Sequence, residues 1–299
     1  MKALLLTVAL LLGCVTVSSQ DKDTGIITVS TNDLSMVFSI SPDKKVVYNY
    51  FGDKFQDISP FLHKKYKEQP DNGIGYAPVI YPAYGGRFFL NPALKLTHDD
   101  GVQTTELIYA AHQVKNIDNN RIETVIQLKD PLYPVFVNLN FTAYQKENVI
   151  CQSVSISHQE KNKLAVENIA SAYLPLHADS YYLTHFHGAW ASEMQLVEEQ
   201  LTPGVKRVES KKGIRTTQSE NSSFLLSLNG PANEDMGEVY AGSLAWSGNY
   251  LSSFEIDECG LLHVMSGMND FASTYNLEPG KTLQTPEMVW TYSSTGKGQ

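Results

Sequence analysis

Apolar and polar residues alternate along most of the chain between residues 25 and 292. A period of two is what results when successive side chains point to opposite faces of a sheet. The alternation predicts strands at Gly25–Thr31, Leu34–Ile40, Lys45–Phe51, Ala93–His98, Thr104–His112, Arg121–Leu128, Phe136–Tyr144 and Val149–His158. It resumes at Ser180–His187, Lys206–Glu209, Phe224–Leu228, Glu238–Trp246, Tyr250–Asp257, Leu261–Met265, Phe271–Leu277 and Pro286–Tyr292. Between them fall turn formers such as Ser41-Pro42-Asp43, Asp100-Gly101, Asn229-Gly230 and Glu278-Pro279-Gly280. Only Ser192–Gln200 reads as a helix, with Ser192 as its cap and Pro203-Gly204 ending it. The missing βαβ rhythm excludes a doubly wound sheet. The expected fold is all-β, one large antiparallel sandwich over residues 25–292. Its main irregular stretch, Asp57–Ile80, holds His63, Lys64, Lys65, Lys67 and Asp71 and reads as a long surface loop.

The two ends read differently. Lys2, the apolar run Ala3–Leu12 and the small residues Val17-Ser18-Ser19 have the layout of a signal peptide over residues 1–19. Leu11-Leu12-Gly13-Cys14 offers an alternative, a lipobox with Cys14 as the lipid attachment point. Both place the protein outside the cytoplasm, periplasmic or extracellular. Residues 293–299, Ser-Ser-Thr-Gly-Lys-Gly-Gln, read as the start of a linker.

Composition narrows the function. The 299 residues carry 23 Lys and Arg against 32 Asp and Glu, a net charge of −9, which disfavours nucleic-acid partners. With 42% hydrophobic residues the chain has apolar surface enough for a core, so disorder is excluded. Three cysteines exclude a disulfide scaffold. Without Cys14, Cys151 and Cys259 either form one disulfide or stay as separate buried thiols.

Three constellations carry candidate chemistry. In Tyr81-Pro82-Ala83-Tyr84-Gly85-Gly86-Arg87 the aromatic faces and the guanidinium suit a sugar platform; the same residues also suit a tight turn at a sheet edge. His185-Phe186-His187-Gly188-Ala189-Trp190 puts two imidazoles on one face of a strand, which suits a pair of hydrogen-bonding side chains at a sandwich end, ordinary packing, or half of a metal site that lacks a third ligand at motif spacing. Trp246-Ser247-Gly248-Asn249 reads as a hairpin turn with Trp246 in the core. The acidic doublets Asp99-Asp100, Glu198-Glu199 and Glu234-Asp235 point to opposite faces of a strand, whereas glycoside hydrolysis needs two carboxyls facing each other. No motif calls for a metal or a cofactor, and none is expected.

Several of these segments occur in a recognisable order. They are Tyr81-Pro82-Ala83-Tyr84-Gly85, His187-Gly188-Ala189-Trp190, Gly204-Val205, Glu209-Ser210-Lys211-Lys212-Gly213, Gly237-Glu238-Val239-Tyr240, Ser247-Gly248-Asn249, and Leu277-Glu278-Pro279-Gly280 with Gln284-Thr285-Pro286-Glu287. Together they resemble the N-terminal domain of glycoside hydrolase family 36, the α-galactosidases. The resemblance implies a β-supersandwich and places the catalytic carboxylates in a following (β/α)₈ barrel, so no residue here is expected to be catalytic. It implies packing on that barrel, of the same or a neighbouring chain, a part in homo-oligomer assembly, and galactosides as the sugars concerned. The matching region for a loop that reaches a neighbour's active site is Asp57–Ile80, with Asp71 and His63–Lys67. Substrate-binding or interface candidates are Tyr81, Tyr84, Arg87, His185, His187, Trp190 and Asn249. Two other readings stay open. One is a stand-alone carbohydrate-binding sandwich. The other is an epimerase of the mutarotase type using His185 or His187 with a carboxylate.

Overall fold

The structure, a computed structural model, describes residues 25–57, 59–62, 78–85, 88–214 and 219–299. Residues 1–19, most of Asp57–Ile80 and Arg87 therefore lie outside the described residues, and with them the expectations for the signal peptide, Cys14, Asp71, His63–Lys67 and the guanidinium. Nineteen strands are found among the described residues, beginning with β1 (Ile26–Ser30), β2 (Leu34–Ile40), β3 (Val46–Asp53), β4 (Leu94–Thr97), β5 (Ile108–Asn116) and β6 (Arg121–Lys129). The middle of the chain forms β7 (Val135–Tyr144), β8 (Val149–His158), β9 (Leu164–His177), β10 (Tyr181–Ala189), β11 (Ser192–Gln200) and β12 (Gly204–Ser210). The rest are β13 (Glu220–Leu228), β14 (Glu238–Leu244), β15 (Tyr250–Ile256), β16 (Leu261–Met268), β17 (Tyr275–Leu277), β18 (Thr282–Gln284) and β19 (Met288–Ser293). One helical turn, α1, spans Ser59–Leu62.

Ten strands make the large sheet, in the order β11-β10-β13-β14-β19-β8-β7-β6-β5 with β18 also paired to β8. Its pairs are antiparallel, and β7 shows why the sheet has two unlike faces. Val135, Val137, Leu139, Phe141 and Ala143 are buried, while Phe136, Asn138, Asn140 and Thr142 point the other way. Two smaller sheets cover the buried face. The six-stranded sheet runs β12-β15-β16-β9-β17, with β4 paired to β9. Phe254 of β15 meets Phe224 of β13 edge to face at 4.9 Å, and Phe224 meets Trp290 of β19 at 5.9 Å. The meander β1-β2-β3 covers the rest: Phe38 lies 5.5 Å from Phe141, and Phe51 lies 5.5 Å from Tyr240, whose hydroxyl donates to the Phe51 carbonyl. Each such aromatic contact adds roughly 0.5–1.5 kcal/mol to what burial alone supplies.

The all-β sandwich is as expected; several particulars differ. Ser192–Gln200 is not a helix but strand β11, paired with β10 from Tyr182↔Gln200 onward. Its apolar residues satisfied a helical period only because both faces of this edge strand are exposed, so no face had to be uniformly apolar. β9, at 14 residues, had no counterpart among the expected strands. Its second half is buried on both sides, so Ile169–Leu176, with Ser171 its one polar side chain apart from the Tyr173 hydroxyl, shows no alternation. The cysteines do not pair: Cys151 is buried in β8, where burial pushes its thiol up to about 11, and Cys259 is exposed. Trp246 is not in the core but half-exposed, its indole N–H donating to the Asn249 carbonyl within its own turn.

The tail after β19 is held in place. Gly296 N donates to Gly237 O, Lys297 N to Asn233 O at 2.7 Å, and Gly298 N to Glu234 O. Gly296 has φ +98°, and a β-carbon there would lie 2.6 Å from Asn233 O, so the docked path requires glycine. Residues read as the start of a linker are thus fastened along the β13–β14 connection, and Lys297 reaches across to Glu198 of β11.

Candidate functional site

The sequence-predicted residues fall into two places. Tyr81 and Tyr84 lie beside β4 on the smaller sheet. Tyr81 is 2% exposed, and its hydroxyl donates to the Ala170 carbonyl at 2.7 Å with that of Ala93 at 3.2 Å. Burial raises its pKa well above the ordinary value, so the phenol stays neutral and serves as a tie between β4's approach and β9. Tyr84 does face solvent, with the Lys95 ammonium 5.6 Å from its ring centre. Gly85 follows at φ +108°, where a β-carbon would sit 2.8 Å from the Thr104 Cα. Of the segment's two tyrosines, Tyr81 is buried and Tyr84 is exposed.

The second place is the β10–β11–β13 edge. His185 and His187 share one face of β10, and a register shift between them in the pairing with β13 sets Glu220 opposite His187. His187 Nδ1 lies 2.6 Å from Glu220 Oε1, and His185 Nδ1 lies 3.6 Å from Glu220 Oε2. His185 Nε2 is 3.3 Å from Glu199, which Lys206 meets at 2.5 Å and holds below the usual carboxylate range. His185 is buried and His187 is exposed, so the cluster runs from the sandwich interior to the surface. His185 Nδ1, Glu220 Oε2 and the Tyr250 hydroxyl are buried without hydrogen-bond partners, and burial, helped by the nearby Glu220 charge, raises the Tyr250 pKa. Glu199 was read only as half of an acidic doublet with carboxyls on opposite faces, and Glu220 was not singled out. The signal for them is register: two residues 21 positions apart flank one histidine only when β11 and β13 bracket β10. Among the described residues, no group of three or more His, Cys, Asp or Glu is arranged to hold a metal ion.

Just beyond the cluster the β10–β11 hairpin carries Trp190 at its tip, 82% exposed. Gly188 permits the tip to close, because a β-carbon there would meet the Ser192 carbonyl and lie 2.7 Å from the Glu193 Cα. Ala191 and Met194 adopt left-handed φ values of 60° and 58°, a conformation costly for residues other than glycine. Backbone strain and an exposed tryptophan thus coincide in one hairpin. Asn249 belongs to the β14–β15 turn, where its side-chain oxygen accepts from Gly213 N at 2.7 Å; it fixes a loop.

One further concavity was not foreseen. An open groove of about 570 Å³ is lined by Thr97, Asp99, Asn162, Lys163, Glu278 and their neighbours. Within it Lys163 pairs with Glu278 at 2.8 Å, and the Asn162 amide donates to Asp99.

The arrangement offers exposed aromatics and a histidine–carboxylate chain at a sheet edge. Residues 44–278 match the glycosyl hydrolase family 36 N-terminal domain. The chain is 33% identical to α-galactosidase AgaA of Geobacillus stearothermophilus over 286 residues, which is 88% of this chain and 39% of that protein. It is 27% identical to α-galactosidase Mel36A of Lactobacillus acidophilus over 73% of its length and 32% of the relative's. Among solved structures, AgaA in complex with raffinose superposes with a TM-score of 0.83 at 28% identity, covering 91% of this chain and 41% of that one. The chain therefore spans about two fifths of the length of AgaA. The ordered motifs, the sandwich and the match over most of its length agree: the chain belongs to the glycosyl hydrolase family 36 N-terminal domains.

Proposed function

We propose that the chain serves as the non-catalytic N-terminal sandwich of an exported α-galactosidase. It packs on the catalytic barrel, takes part in oligomer assembly and helps shape the galactoside site. The observation that carries this reading is a length relation: the alignment takes in 88% of this chain but 39% of the relative that is named for the activity. The bulk of AgaA thus lies outside the shared region. The relative's complex with raffinose supports an α-galactoside as the sugar concerned. Trp190 and Tyr84, exposed aromatics, are the side chains best suited to a sugar or domain contact. The N-terminal apolar run supports export, with Cys14 as the lipid site in the alternative form.

The test is a fusion of this chain to the part of AgaA beyond the aligned region. Hydrolysis of a nitrophenyl α-galactoside by the fusion, and none by the chain alone, is the expected pair of results. A soluble, folded fusion without turnover would count against the reading.

A second reading, a stand-alone carbohydrate-binding sandwich, is favoured by the same exposed Trp190 and Tyr84. Calorimetry with raffinose separates the two. Heat at millimolar sugar from the chain alone favours the binding module; its absence favours the domain that acts with a barrel.

A further inference from the structure

β11 ends the ten-stranded sheet with β10 as its one neighbour, and nearly all of its residues are exposed. Such a strand is weakly held, because one row of its backbone groups has no ladder to join. Two lysines from outside the sheet fasten it, one on each face. On the face that carries His185, Lys206 of β12 meets Glu199 at 2.5 Å. On the other face Lys297, beyond the last strand, pairs with Glu198. The Lys297 ammonium also lies 3.4 Å from the Thr184 hydroxyl, which itself donates to Glu198 at 3.0 Å.

That outward face is open elsewhere on the sheet, as Phe136 of β7 shows at 40% exposure. At this end it is closed. Thr184 and Ser227 alternate with the inward Leu183 and Leu226, yet both are 0% exposed, and Val239, beside the inward Tyr240, is 4% exposed. Register explains how the tail reaches them. β19 finishes opposite the start of β14, Val239↔Ser293, and the ends of β13, β10 and β11 follow in line through Leu228↔Glu238, Tyr181↔Leu228 and Tyr182↔Gln200. The tail crosses that row of strand ends. Thr295 bridges to Gly237, Lys297 N donates to Asn233 O, and the Lys297 side chain continues to β10 and β11. Four strand spacings of about 4.8 Å separate β19 from β11, so the tail ties together strands that do not touch.

The tie is light. Residues 294–298, Ser-Thr-Gly-Lys-Gly, bring no apolar side chain, so burial adds little to their backbone bonds and the Lys297 pair. We propose that this tail is a releasable clasp: docked, it orders the β10–β11 stem and closes the outward face beneath it; displaced, it frees both while the rest of the sandwich stays folded. Because Glu198 and Glu199 are adjacent, the position of the tail is felt at the His185–Glu199 contact on the opposite face. The proposal is independent of the galactosidase reading, and its measurement needs no sugar.

The experiment is amide hydrogen exchange of the purified chain, read by mass on peptides, alongside Lys297→Met and, separately, Gly296→Val. The first removes the charge and keeps a long side chain; the second sets a β-carbon 2.6 Å from Asn233 O. In both variants peptides from 182–200 should exchange at least about tenfold faster than in the unaltered chain, while β7 and β8 keep their rates. Unchanged exchange at 182–200 in either variant overturns the proposal. So does acceleration that spreads equally to β7 and β8, which would make the tail part of the global fold rather than a local clasp.

Discussion

Two segments of this chain look alike as strings. Tyr81–Gly85 and Gly188–Ser192 each place an aromatic residue close to a glycine, and both glycines are set against another stretch of backbone, Thr104 in one case and Ser192–Glu193 in the other. Their aromatic residues have opposite fates. Tyr81 turns into the space that β4, β9 and the large sheet enclose, and its hydroxyl is taken by the Ala170 carbonyl. Trp190 sits at the tip of a hairpin that runs past the cover of the smaller sheets, 82% exposed. The glycine in each motif reports a close backbone approach. Whether the aromatic beside it packs or binds depends on where the segment lies relative to the sheet edges, and spacing does not carry that information.

The contrast is sharpest in stability. Tyr81→Ala should cost about 3–5 kcal/mol in urea unfolding, the range for deleting a buried aromatic. A loss under about 1 kcal/mol would mean that the pocket around Tyr81 collapses freely and that it is not the tie described above.

That asymmetry also explains how much the sequence disclosed. The alternating strands β6 and β7 are legible because one face is buried and the other is wetter, as Val137, Leu139 and Phe141 show against Asn138 and Asn140. β9 escaped detection because Ala170–Leu176 is buried on both faces and does not alternate. β11 was misread as a helix for the opposite reason, since exposure on both faces removes the constraint. The histidine pair was visible in the sequence. Its partnership with Glu199, read only as half of an acidic doublet, and with Glu220 was not, because the two carboxylates arrive from different neighbouring strands. The family resemblance rested on short turns and hairpins, where glycine geometry is most restrictive.

A mid-sized effect is expected at the hairpin's own glycine. Gly188→Ala places a β-carbon against the Ser192 carbonyl and the Glu193 Cα, so the tip must shift. A loss of about 1–3 kcal/mol is expected, with a change in Trp190 fluorescence. An unchanged emission spectrum would show that the tip does not depend on the glycine.

Acid should loosen the hairpin side further. Lys297 holds the Glu198 carboxyl below its usual range, and Lys206 does the same for Glu199. A carboxyl whose pKa is lower folded than unfolded contributes stability above its unfolded value, and that contribution is lost as pH falls through the folded one. The melting temperature should therefore decline below about pH 4.5, and Glu198→Gln should make the decline shallower. An identical acid limb in the variant would remove Glu198 from the account. Both carboxylates are partly exposed, so the effect is small.

The smallest effect belongs to Trp190 itself. Trp190→Ala should alter stability by no more than about 0.5 kcal/mol, as at other exposed sites. A larger loss would put Trp190 with Tyr81, as a packing residue, and erase the comparison.

The central claim is that this sandwich is the part of an α-galactosidase that does not carry the chemistry. The direct measurement is release of nitrophenol from nitrophenyl α-galactoside by the purified chain. The account predicts none above the buffer rate; turnover that persists through further purification and disappears on Glu220→Gln would contradict it.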